Sequence, residues 1–285
     1  MNHTDEFYTD LACERRRANL NCEGIKYEKT TNINGTWERI SITTEDGAKA
    51  IGRPMGIYDS LHVNRLDTLD YEEIMGVTEE LAGELCEIVE KSDAVATNIL
   101  VVGLGNQSLT PDAIGSESAD KIRATRHIYD LDEEIFSSLR CAKIAVLKTG
   151  VTSKSGLDSS VIVEGVAKEI KPDLVIAIDS LMAKSRERLG TTFQISNTGI
   201  IPGSGLGNAS KSIDESALSC PVICIGVPTI IDSRALTAES ERELKRMKKK
   251  GGEVMFVSPK EIGDIVENAA EIIGGAINLA FGIIS

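Results

Sequence analysis

DLVIAIDS (173–180) is the stretch whose reading decides the fold. Its aliphatic run from Leu174 to Ile178 does not alternate with polar residues, and it ends abruptly on Asp179. A run this short, rich in β-branched side chains, reads as a strand buried on both faces, as strands of parallel sheets are. NILVVGLG (98–105) and KIAVLKTG (143–150) precede it, and PVICIGVP (221–228) and GEVMFVSP (252–259) follow; all four are of the same kind. Helical patterns separate several of them. SSVIVEGVAKEI (159–170) has Asp158 or Ser159 as its N-cap, and AESERELKRMKKKGG (238–252) is a charged surface helix ending at glycine. Residues 259–283 form a C-terminal helix that the pair Gly274-Gly275 is expected to break. Strands alternating with helices predict an α/β fold, a mostly parallel twisted sheet covered by helices on both sides.

The N-terminal third departs from this pattern. Residues 1–35 are polar and are expected to be loosely ordered at the start, whereas WERISITTE (37–45) alternates like a half-exposed strand. LDYEEIMGVTEELAGELCEIVEKS (69–92) is an amphipathic helix that leads into the first core strand. TTFQISNTGIIPGSGLGNAS (191–210) reads as a loop-rich excursion, and long loops inside compact domains are often functional.

Composition narrows the partners. The 285 residues are 41% hydrophobic with a formal net charge of −13, which argues against direct nucleic-acid binding. No apolar run reaches membrane-spanning length, and MNHTDEFYTDLACERRR (1–17) lacks the apolar core of a secretory signal, so a cytoplasmic location is expected. The six cysteines show no C-x2-C spacing, and no motif calls for a metal or a cofactor.

Two places carry chemistry. Gly103-x-Gly105 after a strand suggests a dinucleotide turn, but Ser108 stands where the third glycine belongs. Asp179 ends its strand at the sheet edge where α/β proteins bind ligands, and Asp112 follows another such strand by a few residues. If both reach one crevice, they would resist ionising together and would supply a general acid and a general base. Each could equally cap the next helix, and spacing leaves both readings open. The three histidines form no legible Ser–His–Asp set, and no G-x-S-x-G elbow exists.

VVGLGNQSLTPDAIG (101–115), TRH (125–127), KPDLVIAIDSLMAKSRERLGTTFQISNTGIIPGSGLGN (171–208) and VICIGVPTIID (222–232) resemble the germination protease family of spore-forming bacteria. The resemblance implies an atypical aspartic endopeptidase, with Asp112 and Asp179 catalytic, that needs no metal and degrades small acid-soluble spore proteins during germination. It also implies a three-layer α/β/α sandwich similar to hydrogenase-maturation peptidases, a homotetramer, and a place in the forespore or spore core. The family is made as a zymogen and cuts after an acidic residue. Thr9-Asp10-Leu11-Ala12-Cys13-Glu14 is a near copy of its cleavage pattern. Self-cleavage between Asp10 and Leu11 is therefore expected, with 1–10 a propeptide and 11–285 a single peptidase domain. Arg126, Lys184 or Arg186 would read the acidic residue, and the loop containing Gly203 and Gly205 would supply oxyanion donors. Lys184 stands where the family usually has arginine, and Asn197 where it usually has aspartate. The alternatives are a hydrogenase-maturation-type peptidase acting on a metalloenzyme precursor, and a non-catalytic or nucleotide-binding α/β module.

Overall fold

The computed structural model describes residues 8–16, 22–204, 210–237 and 255–282. Among these residues nine strands form one sheet: β1 Ile25–Thr31, β2 Thr36–Ile42, β3 Gly56–His62, β4 Asn98–Leu104, β5 Lys143–Gly150, β6 Leu174–Ala183, β7 Thr192–Ser196, β8 Val222–Asp232 and β9 Phe256–Val257. Their spatial order is β1-β2-β3-β7-β8-β6-β4-β5, with β9 paired to β8.

The parallel pairing expected from the apolar runs holds for β8, β6, β4 and β5. The remaining pairings, from β1 through β7 to β8 and between β8 and β9, are antiparallel, so the whole sheet is mixed. The difference follows from local chemistry. β1 and β2 are joined by the short Asn32–Gly35 turn, which suits antiparallel neighbours, whereas β7 meets β3 and β8 from far along the chain. β7 occupies the first part of the stretch expected to be a loop. Its TFQIS is fully buried between β3 and β8, and the turn residues around it had masked a short strand.

Alternation along β6 creates two cores. Ile176 and Ile178 face α3 (Tyr71–Lys91), α4 (Ile114–Lys121) and the C-terminal helix Ile262–Phe281, together with Leu81, Leu85 and Ile273. Val175 and Ala177 face the other way, toward Val163 and Ala167 of the helix Ser159–Ile170. Helices thus cover both faces of the parallel part, the layering expected of the sandwich. Each wholly buried Leu or Ile contributes roughly 1.5–3 kcal/mol of transfer free energy, so these two faces carry the stability of the domain.

Helix ends obey their capping residues. Asp70 and Glu73 form a reciprocal capping box at the start of α3, and Asp158, rather than Ser159, caps the helix that follows it. The C-terminal helix is continuous through Gly274-Gly275, contrary to expectation. Those glycines serve packing instead: a Cβ at Gly274 would lie 2.4 Å from Lys121 Cβ, so its absence lets the helix close onto α4. The charged helix expected over 238–252 lies outside the described residues.

The N-terminal segment is the largest departure. Thr9 through Glu14 are buried, and Leu11 and Ala12 are wholly so, against Ile40, Ile42, Tyr58 and Leu181. This segment enters α1 (Ala12–Arg16) and lies on the same sheet face as the Ser159–Ile170 helix. Its polar composition misled because the protein body satisfies each polar group, as described below.

Candidate active site

β6 is longer than its neighbour β4, and this opens the site. β4 pairs with β6 only as far as Gly103 opposite Ile178, whereas β8 accompanies β6 to Ala183 opposite Ile231. Asp179 is the first β6 residue past that end. It shares its face with Val175 and Ala177, in a row with Gly226 of β8 and Gln194 of β7.

Asp112 arrives by the loop that β4 delivers. Its carbonyl and its Oδ2 both accept the Asn106 N–H, at 2.8 and 2.9 Å, and Thr229 Oγ1 donates to the Pro111 carbonyl at 2.6 Å. The turn is thereby pinned to β8. Immediately after it, Gly115 lets α4 rest on bare strand backbone, since a Cβ there would lie 2.4 Å from both the Ile178 and Leu104 carbonyl oxygens. That close approach holds Asp112 over Asp179.

Both aspartates line one cavity of about 260 Å³, together with Pro111, Thr229, Gly203 and Ser204. Asp179 is buried, and burial, then the charge of Asp112, holds its carboxyl well above the ordinary carboxylate range. The Ser180 N–H on Asp179 Oδ1, at 2.8 Å, opposes the shift, and nearby Asp10 adds to it. Asp112 is half-buried and is raised by burial, against the Asn106 N–H. Burial and the closeness of the two carboxyls therefore favour a single proton held by the pair. Each carboxylate spends an oxygen on a backbone N–H, which leaves the second oxygen of each available for water. This is the equipment of general acid–base hydrolysis.

Asp10 lines the same cavity. Its N–H donates to the Met182 carbonyl at 2.8 Å, on the edge of β6 that β4 no longer covers. The expected cleavage site, Asp10–Leu11, thus lies at the crevice within a buried segment.

The other sequence-predicted residues divide sharply. Gly203 lines the cavity, and Gly205 lies outside the described residues. Arg126 does not reach the crevice. Its Nη1 donates to Asn98 Oδ1 at the opposite end of β4, roughly 20 Å away at strand rise. Arg186 is exposed in a 3-10 turn, and Lys184 contributes its backbone N–H, to Glu14. The cation facing Asp10 is Arg53, which the sequence reading did not single out. Gln194 was also missed, because the stretch that carries it reads as a loop until β7 pairs with its neighbours. Among the described residues, no group of three His, Cys, Asp or Glu side chains forms that could hold a metal ion.

Comparison with known proteins places this geometry. The family described as germination protease matches residues 3–250. A germination protease from Clostridium perfringens is 34% identical over 95% of this chain and 94% of its own length. One from Caldanaerobacter subterraneus is 35% identical over 95% and 93%, and one from Bacillus subtilis 35% identical over 81% and 65%. Among solved structures, a hydrogenase maturation protease from Thermococcus kodakarensis is similar with a TM-score of 0.38 and 17% identity, covering 68% of this chain and 99% of that one. With the family model matched over residues 3–250 and the Clostridium and Caldanaerobacter relatives covered over more than nine-tenths of their length, the chain belongs to the germination protease family.

Proposed function

We propose that this chain is an aspartic-type endopeptidase, made as a self-processing precursor, that cuts small acid-soluble spore proteins after an acidic residue to begin their degradation in the germinating spore. The reading extends to a homotetramer in the forespore or spore core, which rests on the family resemblance. The observation that carries the catalytic part is the convergence of Asp112, Asp179 and the chain's own Asp10 on one cavity. A maturation peptidase for a metalloenzyme precursor would not need a substrate-like segment in its own crevice, so the seated Thr9–Glu14 favours the first reading.

In this mechanism Asp112, ionised, draws a proton from a water held between the two carboxylates, and the water adds to the scissile carbonyl carbon. Asp179, protonated, donates toward the carbonyl oxygen and the pair returns a proton to the departing amine. Backbone N–H groups near Gly203 lower the cost of the oxyanion. Because one carboxyl must be charged and the other protonated, the rate falls when both ionise at alkaline pH and when both protonate in acid.

Intact mass after incubating the precursor at mildly acidic pH tests this directly, comparing wild type with Asp112→Asn and Asp179→Asn. Loss of residues 1–10 in wild type alone is expected. Cleavage persisting in both variants would return the two aspartates to the role of helix caps.

A further inference from the structure

The seat of Thr9–Glu14 is built around two carboxylates. Asp10 Oδ1 accepts from Tyr8 Oη at 2.7 Å and Ser204 Oγ at 3.2 Å, and faces Arg53 Nη2 at 3.4 Å. Asp10 Oδ2 accepts the Met182 N–H at 2.8 Å. Four residues on, Glu14 Oε2 accepts the Lys184 N–H and Oε1 the Ser185 N–H, both at 2.7 Å, and Thr9 Oγ1 donates to the same carboxylate. Two consecutive backbone amides converging on one carboxylate form an anion-binding concavity. Buried carboxylates are tolerated only where such partners exist, and the protein body provides them at both positions.

Between the two, Gln194 grips the backbone. Its Nε2 donates to the Asp10 carbonyl at 2.9 Å and its Oε1 accepts the Ala12 N–H at 2.8 Å. The bond between Asp10 and Leu11 is therefore held from both sides. Gly226, which has no side chain, is the only residue between Gln194 and Asp179 in their row across the sheet.

Resting on the proposed function, we infer that this seat is the substrate groove and that its own residues are the specificity determinants for the acidic side chains of the cleavage pattern, with Asp10 and Glu14 marking the two sites they form. The residue before the cut bond is read by Arg53, Ser204 and the Met182 amide. The fourth residue after it is read by the amides of Lys184 and Ser185, and Gln194 is a positioning residue for the carbonyl. Water supplies the oxygen of the new α-carboxylate at Asp10 and a proton for the new amine at Leu11, so the step needs no other co-reactant. Cutting also vacates the groove. The Leu11 N–H now donates to Thr9 Oγ1 in a wholly buried segment, and an ammonium in its place is poorly tolerated there.

The test uses the full-length chain and peptides in the order of Thr9–Glu14, with Glu or Gln at the first acidic position and Glu or Gln at the second. Cleavage is read by mass, alongside loss of residues 1–10 from the chain itself. Wild type is expected to prefer Glu by roughly tenfold or more at the first position and about threefold or more at the second. Arg53→Gln should reduce the first preference to within about twofold while leaving the second intact. Ser204→Ala, a milder change, should erode the first preference in the same direction by about twofold to fivefold, and carries the test should Arg53→Gln fail to fold. Unchanged Glu preference in a folded Arg53→Gln chain overturns the first assignment, and equal rates with Glu and Gln at the second position overturn the amide site. A wild-type chain that cuts neither itself nor any peptide would sink the proposed function instead, a result distinct from a change in preference.

Discussion

Two pairs of carboxylates lie on opposite faces of one sheet. Asp112 and Asp179 meet where β4 stops short of β6, beside a cavity. Asp59 of β3 and Glu84 of α3 meet on the other face, between Arg39 of β2 and Ile195 of β7, with both carboxylates almost fully buried. Burial, then contact with Glu84, pushes Asp59 up to about 8. Among the described residues neither Asp59 oxygen finds a donor other than Glu84, and Arg39 serves Glu84 through a short ion pair. Two carboxylates in contact bond only through a shared proton, so the pair acts as one singly charged unit. Each pair thus holds a carboxyl raised above its ordinary range, and a raised pKa alone would nominate either as a catalytic dyad. What separates them is space and backbone: the first pair lines a cavity with the Asp10 segment alongside, whereas both Asp59 oxygens are enclosed.

The sharpest way to break this comparison is to neutralise one member of each pair. Asp179→Asn or Asp112→Asn should lower self-cleavage by about a thousandfold or more, since members of one catalytic unit each carry most of its effect. Asp59→Asn should leave the rate within a few-fold, measured as initial loss of residues 1–10. An equal collapse in Asp59→Asn would mean that the pairs are not distinct in role. The rate profile against pH sharpens the point. Because burial and the Asp112 charge raise Asp179, the alkaline limb should lie well above the ordinary carboxylate range. Asp59→Asn should not move that limb.

A smaller loss is expected from Gly115→Ala. The new methyl would press on the Ile178 and Leu104 carbonyls and shift α4 away from the strands that place Asp112 over Asp179. Misplacement on the order of 1 Å costs roughly a hundredfold in rate. The accompanying overpacking costs about 1–3 kcal/mol of stability, read from denaturant unfolding. A Gly115→Ala chain as active as wild type would show that the dyad does not depend on that close approach.

The two faces were unequally legible in sequence. DLVIAIDS places a carboxylate at the end of a buried strand by composition alone, and the long runs around Asp112 and Asp179 carry the family. Asp59, in GIYDSLH, carries no such signal, because its partner Glu84 is an unremarkable position in an amphipathic helix. The same limit hid Arg53, which meets Asp10 across 43 positions of sequence. Arg126, chosen by its nearness to the motifs, shows the complementary limit: it is close in sequence to Asp112 but sits at the other end of β4. The parallel core was readable because strands buried on both faces leave unbroken apolar runs. β7 was not, because five residues bounded by glycine and asparagine look like a loop until β3 and β8 pair with them. The buried N-terminal segment was unreadable for a further reason. Its polarity is compensated by Arg53, Gln194 and backbone amides that only the fold assembles.

The least drastic expectation concerns stability on the Asp59 face. In the unfolded chain Asp59 titrates in the ordinary range near ~4, whereas in the fold it is pushed up to about 8. Between those values the folded state holds a proton that the unfolded chain has released, so stability falls as pH rises through that window. Asp59→Asn replaces the protonated carboxyl with a permanently neutral amide that can still donate to Glu84. The substitution should therefore cost little near pH 5 and should gain on the order of 1–2 kcal/mol over wild type near pH 8. For a chain of this size that is a melting-temperature difference of several degrees. Thermal unfolding of both chains from pH 5 to 8 measures it, with the wild-type slope expected to flatten in the variant. Parallel slopes would place the alkaline sensitivity elsewhere, and the carboxylates of Asp59 and Glu84 would then have to be separated or both charged. The comparison with Asp112 and Asp179 would then rest on the cavity alone.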